Sequence, residues 1–206
     1  MPEAASRPRV AILISGRGSN MSALLDAMRE GRVAADPSVV ISNVPDAPGL
    51  AHAAAAGVPT AVVDHTKVTP REAHERAMMD VLEAHRTDIV CLAGFMRRLT
   101  PLLIGAYRGR VLNIHPALLP AFPGLDAQKA ALEYGVKVSG CTVHIVDEVV
   151  DHGPIILQAA VPVLDDDTVE TLSARILEQE HVLYPRALAL VAAGRVTLDG
   201  RRVRVG

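Results

Sequence analysis

The sequence predicts an α/β domain on a mostly parallel central sheet flanked by helices, with an antiparallel strand pair in its C-terminal half. Three observations carry this. Short continuous apolar runs alternate with segments of helical spacing through the first half of the chain. The first apolar run ends in a glycine-rich turn that opens a helix. Two β-rich runs around residue 150 are separated by a gap too short for a crossover.

Residues 10–14 (VAILI) read as the first strand and residues 21–30 as the first helix, with Leu24, Leu25 and Met28 on one side. Residues 39–42 (VVIS) and 60–63 (TAVV) are the second and third strands, around an Ala-rich helix at 49–56. Thr69-Pro70-Arg71-Glu72 announces the next helix, with a capping hydroxyl, Pro at the first helical position and Glu at the third. Ala73, Ala77, Met78, Val81 and Leu82 form its apolar stripe, with Glu75, Arg76, Asp80 and Glu83 opposite. Residues 89–93 (IVCLA) are fully apolar and predict a central strand, and 111–115 (VLNIH) a fifth. Strand–helix alternation implies right-handed crossovers. Residues 138–146 and 155–163 are expected to pair antiparallel. A last helix is expected from about Thr168 to about Val191, kinked or broken at Pro185, and then a small exposed hairpin around Asp199-Gly200. No linker or repeat divides residues 1–206. One domain is predicted, with a nucleotide-binding-like half at about 8–110 before a more irregular half at about 111–192.

Half of the 206 residues are hydrophobic, enough for a sizeable core. Lys plus Arg is 21 against 23 for Asp plus Glu, a formal charge of −2, so there is no general attraction for polyanions. Three Tyr, two Phe and no Trp argue against a stacking platform for single-stranded nucleic acid. Cys91 and Cys141 lie in apolar runs and are expected as buried reduced thiols. No apolar stretch is long enough to span a bilayer, and the opening MPEAASRPRV lacks the apolar segment of a signal peptide. A soluble, cytoplasmic protein with neither nucleic-acid nor membrane partners is expected.

Ser15-Gly16-Arg17-Gly18-Ser19-Asn20 follows a strand and opens a helix, where backbone N–H groups and the helix dipole suit a phosphate. The alternative is a turn that simply needs small residues. It is not a Walker loop, and the third glycine of the dinucleotide fingerprint is missing. Asn113 and His115 are two apart on one strand, so both leave the same face at its carboxyl end. An amide beside an imidazole can hold a developing oxyanion and shuttle a proton; the alternative is a polar pair capping a strand. Asp151 precedes the fixed turn Gly153-Pro154 and either orients His115 or is an ordinary surface acid. Glu180 lies on or beside the stripe Val169, Leu172, Ile176, Leu183, Ala187, where an acid is costly unless it binds an amine, a cation or an Arg. Arg97 and Arg98 either meet an anionic ligand or face solvent. No G-x-S-x-G elbow or H-E-x-x-H motif is present. His144 and His152 flank an acidic turn, but no metal is expected. Arg201-Arg202-Val203-Arg204 is expected to be a solvated strand face.

The stretches ILISGRGSN, LAGFMRRLTP, VLNIHPALLPAFPG, SGCTVHIVDEVVDHGPIILQAAVPV and EQEHVLYP together closely resemble the phosphoribosylglycinamide formyltransferase family, from Val10 to about Leu190. The resemblance implies a Rossmann-like formyltransferase fold. It also implies passage of the formyl group of 10-formyltetrahydrofolate to the amine of glycinamide ribonucleotide, in purine synthesis. Asn113, His115 and Asp151 fall on the family's catalytic positions. Gly18, Ser19 and Asn20 fall on its nucleotide-phosphate loop, and Glu180 on its substrate-binding glutamate. Arg71, Met96, Arg97, Arg98, Leu99, Asn113, Asp147, Glu148, Val149, Val150 and Asp151 fall on its folate contacts. Asp126, Gln128, Val149 and Leu177 depart from the commoner pattern. A monomer or homodimer acting on small molecules without a metal is implied. Formyltetrahydrofolate hydrolase and methionyl-tRNA formyltransferase share the fold. The regulatory N-terminal domain of the first and the C-terminal tRNA domain of the second are not expected here. A non-catalytic nucleotide-binding module would use the glycine turn alone.

Overall fold

Five parallel strands and their crossover helices come first. They are β1 (Arg9–Ile14), α1 (Ser19–Arg29), β2 (Asp36–Ser42), α2 (Pro48–Ala55), β3 (Thr60–Val62), α3 (Arg71–Ala84), β4 (Ile89–Leu92), α4 (Pro101–Ala106) and β5 (Val111–His115). Then follow α5 (Ala127–Tyr134), β6 (Val138–Ile145), β7 (Ile155–Pro162), α6 (Val169–Ala192), β8 (Val196–Asp199) and β9 (Arg202–Val205). The computed structural model describes residues 7–206; residues 1–6, on which part of the signal-peptide expectation rests, lie outside the described residues.

The main sheet runs β3-β2-β1-β4-β5-β6-β7, with β4 in the middle as its unbroken apolar run implied. Strands β1 to β5 pair parallel. β6 is antiparallel to both β5 and β7, so two antiparallel ladders replace the single expected pair. β8 and β9 form the separate hairpin around Asp199-Gly200. One face of the sheet buries Ile12, Leu24, Met28 and Cys91 with Leu172, Ile176 and Tyr184 of α6. The other buries Leu13, Ile41, Met78, Leu82 and Leu103 under α3 and α4. Cys91 and Cys141 are buried and free, and burial pushes both thiols up to about 12. Among the described residues no helix is long and apolar enough to cross a membrane.

Four expectations need correction. Thr69 does not cap α3: Pro70 occupies the N-cap position in extended backbone, without a side-chain cap. Glu75 is not on a solvated face. It is 1% exposed and accepts from the Thr100 N–H at 2.5 Å, the Thr100 hydroxyl at 2.6 Å and the Leu103 N–H at 3.4 Å. A carboxylate at a helix N-terminus satisfies donors that have no partner within the helix, so Glu75 fixes the start of α4 and the segment before it. Pro185 does not break α6, which continues unbroken for 24 residues. The lost backbone bond is offset by packing: Pro185 is buried, and Tyr184 is fully buried with its hydroxyl 3.0 Å from both the Leu92 and Leu112 carbonyls. Finally, α4 and α5 were not expected. Both are short, and α5 starts from Asp126 in a left-handed conformation without a side-chain cap.

Candidate active site

β1 leads toward β2 on one side of the sheet and β4 toward β5 on the other, which opens a crevice at their carboxyl ends. Ser15 ties its walls together. Its N–H donates to the Gly94 carbonyl at 3.2 Å, and its hydroxyl accepts from the Met96 N–H at 2.8 Å and donates to Asn43 at 2.6 Å. Gly18 caps α1 at φ +75°, and a Cβ there would lie 3.2 Å from the Gly49 Cα. The Gly49 N–H donates to the Gly16 carbonyl at 3.0 Å, so the turn presses on the start of α2. The free N–H groups of α1 therefore open from this turn, an arrangement suited to an anion.

Asn20, in the first turn of α1, donates from Nδ2 to Glu180 Oε2 of α6 at 2.7 Å. Glu180 is 6% exposed, and the Asn20 Oδ1 is buried without a partner among the described residues. Burial pushes the Glu180 carboxyl above the usual carboxylate range, and the Asn20 bond offsets only part of this. A buried carboxyl group beside an amide oxygen with no partner among the described residues leaves polar atoms that a ligand can satisfy.

β5 ends with Asn113 and His115 on one face, as their spacing requires. Asp151 reaches them from the β6–β7 connection. Its Oδ2 lies 3.3 Å from His115 Nδ1 and accepts from the Gly124 N–H at 2.8 Å. Its Oδ1 lies 3.4 Å from Asn113 Nδ2. His115 Nε2 is 2.7 Å from the Phe122 carbonyl, so both ring nitrogens face oxygen atoms. The Asn113 Nδ2 contacts are long, and its amide hydrogens can exchange onto an incoming oxygen.

Against known proteins, a family model described as Formyl transferase matches residues 8–188. The chain belongs to the formyl transferase family. Phosphoribosylglycinamide formyltransferase of Escherichia coli is 41% identical over 201 residues, covering 94% of this chain and 95% of that protein. Trifunctional purine biosynthetic protein adenosine-3 of Drosophila melanogaster is 52% identical over 195 residues. That match covers 94% of this chain, which spans only 14% of the trifunctional relative. Among solved structures, glycinamide ribonucleotide transformylase 1 of Symbiobacterium toebii superposes with a TM-score of 0.97 at 52% identity, covering 100% of this chain and 97% of that one. A formyltetrahydrofolate deformylase from Pseudomonas syringae superposes at 0.90 with 28% identity, covering 98% of this chain and 66% of that one.

Within this formyl transferase, burial pushes the Asp151 carboxyl up, but the imidazole of His144, the Gly124 N–H and the charge of His115 together hold it below the usual carboxylate range. His144 Nε2 is 3.7 Å from Asp151 Oδ1. His144 is the site residue that sequence reasoning missed. It pairs directly with Asn113 across the β5–β6 ladder, its Nε2 3.2 Å from Asn113 Nδ2. The spacing within VHIV carries no such signal, because only the antiparallel register brings His144 to Asn113. His152 lies apart from His144, against Asp147 and Arg201.

The other predicted residues spread around the crevice. Gly18, Ser19 and Asn20 form the mouth of α1. Met96 is 65% exposed and Arg98 is exposed, Leu99 is half-buried, and Arg97 is half-buried with its Nε buried and unpartnered among the described residues. Glu148, Val149 and Val150 are exposed, whereas Asp147 turns inward on its own loop and accepts from the Val149 N–H at 2.9 Å. Arg71 stands exposed on the first turn of α3 and makes no hydrogen bond to the cluster among the described residues. A surface pocket of about 400 Å³ lies at the opposite, amino edge of the sheet, lined by Thr87, Asp88, Tyr107 and Arg110. It gathers none of the predicted site residues.

Proposed function

We propose that this chain transfers the formyl group of 10-formyltetrahydrofolate to the primary amine of glycinamide ribonucleotide, giving formylglycinamide ribonucleotide and tetrahydrofolate in purine synthesis. The observation that carries this is the convergence of Asn113, His115 and Asp151 from two separate elements. The names and overlap of the relatives support it.

Chemically, the amine nitrogen attacks the formyl carbon and a C–N bond forms, leaving negative charge on the formyl oxygen. Asn113 donates to that oxygen, and the protonated His115 stabilises it by charge. Asp151, ionised at neutral pH, stabilises the imidazolium and relays the amine's proton toward the folate nitrogen, from which the formyl carbon then separates. Gly18, Ser19 and Asn20 hold the nucleotide phosphate, and Glu180 with the unpartnered Asn20 oxygen receives polar groups of the ribonucleotide. The folate fits the other wall: Met96, Val149 and Val150 offer exposed apolar surface, and the buried Arg97 Nε is a donor without a partner.

Glu180→Gln tests the binding assignment. KM for glycinamide ribonucleotide is expected to rise with kcat little changed. Because the folded-state pKa of Glu180 is raised, its charge opposes folding above the unfolded value. The ligand-free variant is expected to melt higher than wild type at pH 8, the gap closing as pH falls toward about 4.3. Thermal scans across pH measure this.

The function itself is tested by mixing the protein with 10-formyltetrahydrofolate, with and without glycinamide ribonucleotide. Amine-dependent deformylation is the expected result. Amine-independent deformylation would assign hydrolysis, the activity in the name of the Pseudomonas relative. No turnover in either mixture would leave a binding module.

A further inference from the structure

The C-terminal hairpin is distant in sequence from the chemistry, yet it reaches the loop that carries Asp151. Arg201 sits in the turn between β8 and β9. Its Nη2 donates to the His152 carbonyl at 2.5 Å. Its Nη1 lies 2.9 Å from Nε2 and 3.1 Å from Nδ1 of the His152 ring. The lone-pair directions of those two nitrogens diverge, so no donor in the ring plane serves both. Near-equal distances bring the guanidinium nitrogen against the ring as a whole rather than onto one nitrogen. His152 Nδ1 also lies 2.8 Å from Asp147 Oδ2. Asp147 Oδ1 in turn accepts from the Val149 N–H at 2.9 Å. One guanidinium thus closes a chain of contacts joining both ends of the loop.

Asp151 is the residue immediately before His152, and its backbone is held at φ +51°. A left-handed conformation at a non-glycine residue is strained, and it persists only where neighbours fix it. Its carboxylate is fixed by Gly124 and His115; on the backbone side the adjoining anchor is Arg201. We infer that Arg201 is a positioning residue for the reaction, holding the His152 end of the loop so that Asp151 stays aimed at His115. The inference rests on the role proposed above for Asp151.

Arg201 and His152 are both exposed, so their contact adds little to global stability. Its effect is on loop geometry, and the experiment must separate the two. Kinetics are measured for wild type, Arg201→Ala, Arg201→Lys, Asp151→Asn and the double variant Arg201→Ala/Asp151→Asn. Arg201→Ala is expected to lower kcat about tenfold, since small misplacements of a reacting group have large kinetic effects. KM for glycinamide ribonucleotide, assigned to the Glu180 side, and the melting temperature should be unchanged. Arg201→Lys keeps the charge but loses the planar fork, and is expected to recover only part of the loss. In the Asp151→Asn background, Arg201→Ala is expected to cost nothing further, the signature of one residue acting through another. Wild-type kcat in Arg201→Ala, or fully additive losses in the double variant, would overturn the inference. Wild-type kcat in Asp151→Asn would overturn the role of Asp151 as well, a result distinguishable from the first two.

Discussion

Asp151→Asn is expected to lower kcat by roughly 10²–10⁴-fold with KM for either substrate nearly unchanged, the range lost when a positioned acid–base group is removed. Asn keeps the size and can still accept from the Gly124 N–H. It removes the negative charge 3.3 Å from His115 Nδ1 and the ability to take a proton. Steady-state kinetics with both substrates varied provide the measurement. A raised KM at normal kcat would show instead that the carboxylate only holds substrate. The same substitution has a stability signature. The Asp151 carboxyl is held below its ordinary range in the folded state, so its ionised form stabilises the fold above the unfolded value of about 3.9. That contribution is lost as pH falls from there through the folded value. Wild type should therefore melt higher than Asp151→Asn at pH 7, with the difference disappearing in stronger acid.

Gly153→Ala is expected to damage both fold and activity through one added methyl group. A Cβ at this buried position would lie 1.7 Å from the Ile145 carbonyl oxygen, in the backbone at the end of β6. Backbone cannot swing aside as a flexible side chain does, so the connection must shift. Overpacking of this kind costs about 1–3 kcal/mol, and more when backbone is displaced. A lower melting temperature is expected, together with a kcat loss like that of Asp151→Asn, because Asp151 is two residues away and moves with the loop. An alanine variant with wild-type melting and turnover would mean that the loop relaxes without moving the carboxylate.

The strand–helix alternation was legible because its signals are local. Apolar runs of four to six residues, glycine turns and helical stripes placed all five parallel strands and the long last helix. Besides the short helices α4 and α5 and the cap of α3, the misjudged positions were those whose partners lie far along the chain. Glu75 reads as solvated by residue type alone, and only the arrival of Thr100, just before α4, and Leu103 within it makes it a buried cap. Pro185 reads as a kink or a break in the last helix, and packing of that helix on the sheet keeps it continuous. His144 reads as one histidine among eight until the β5–β6 register sets it opposite Asn113. Arg201 reads as a solvated charge until the hairpin folds onto the His152 loop.

Local sequence alone settled the order of the strands, the common face of Asn113 and His115, and the turn that opens α1, since backbone periodicity and glycine geometry act over a few residues. Tertiary structure alone decided which acid meets which imidazole. Asp151 and His115 are 36 positions apart, and their 3.3 Å contact depends on strand order, antiparallel register and a left-handed residue in a connecting loop. Each of these is settled by the competition between burying apolar surface and satisfying backbone polar groups across the whole sheet, which no short stretch of chain encodes.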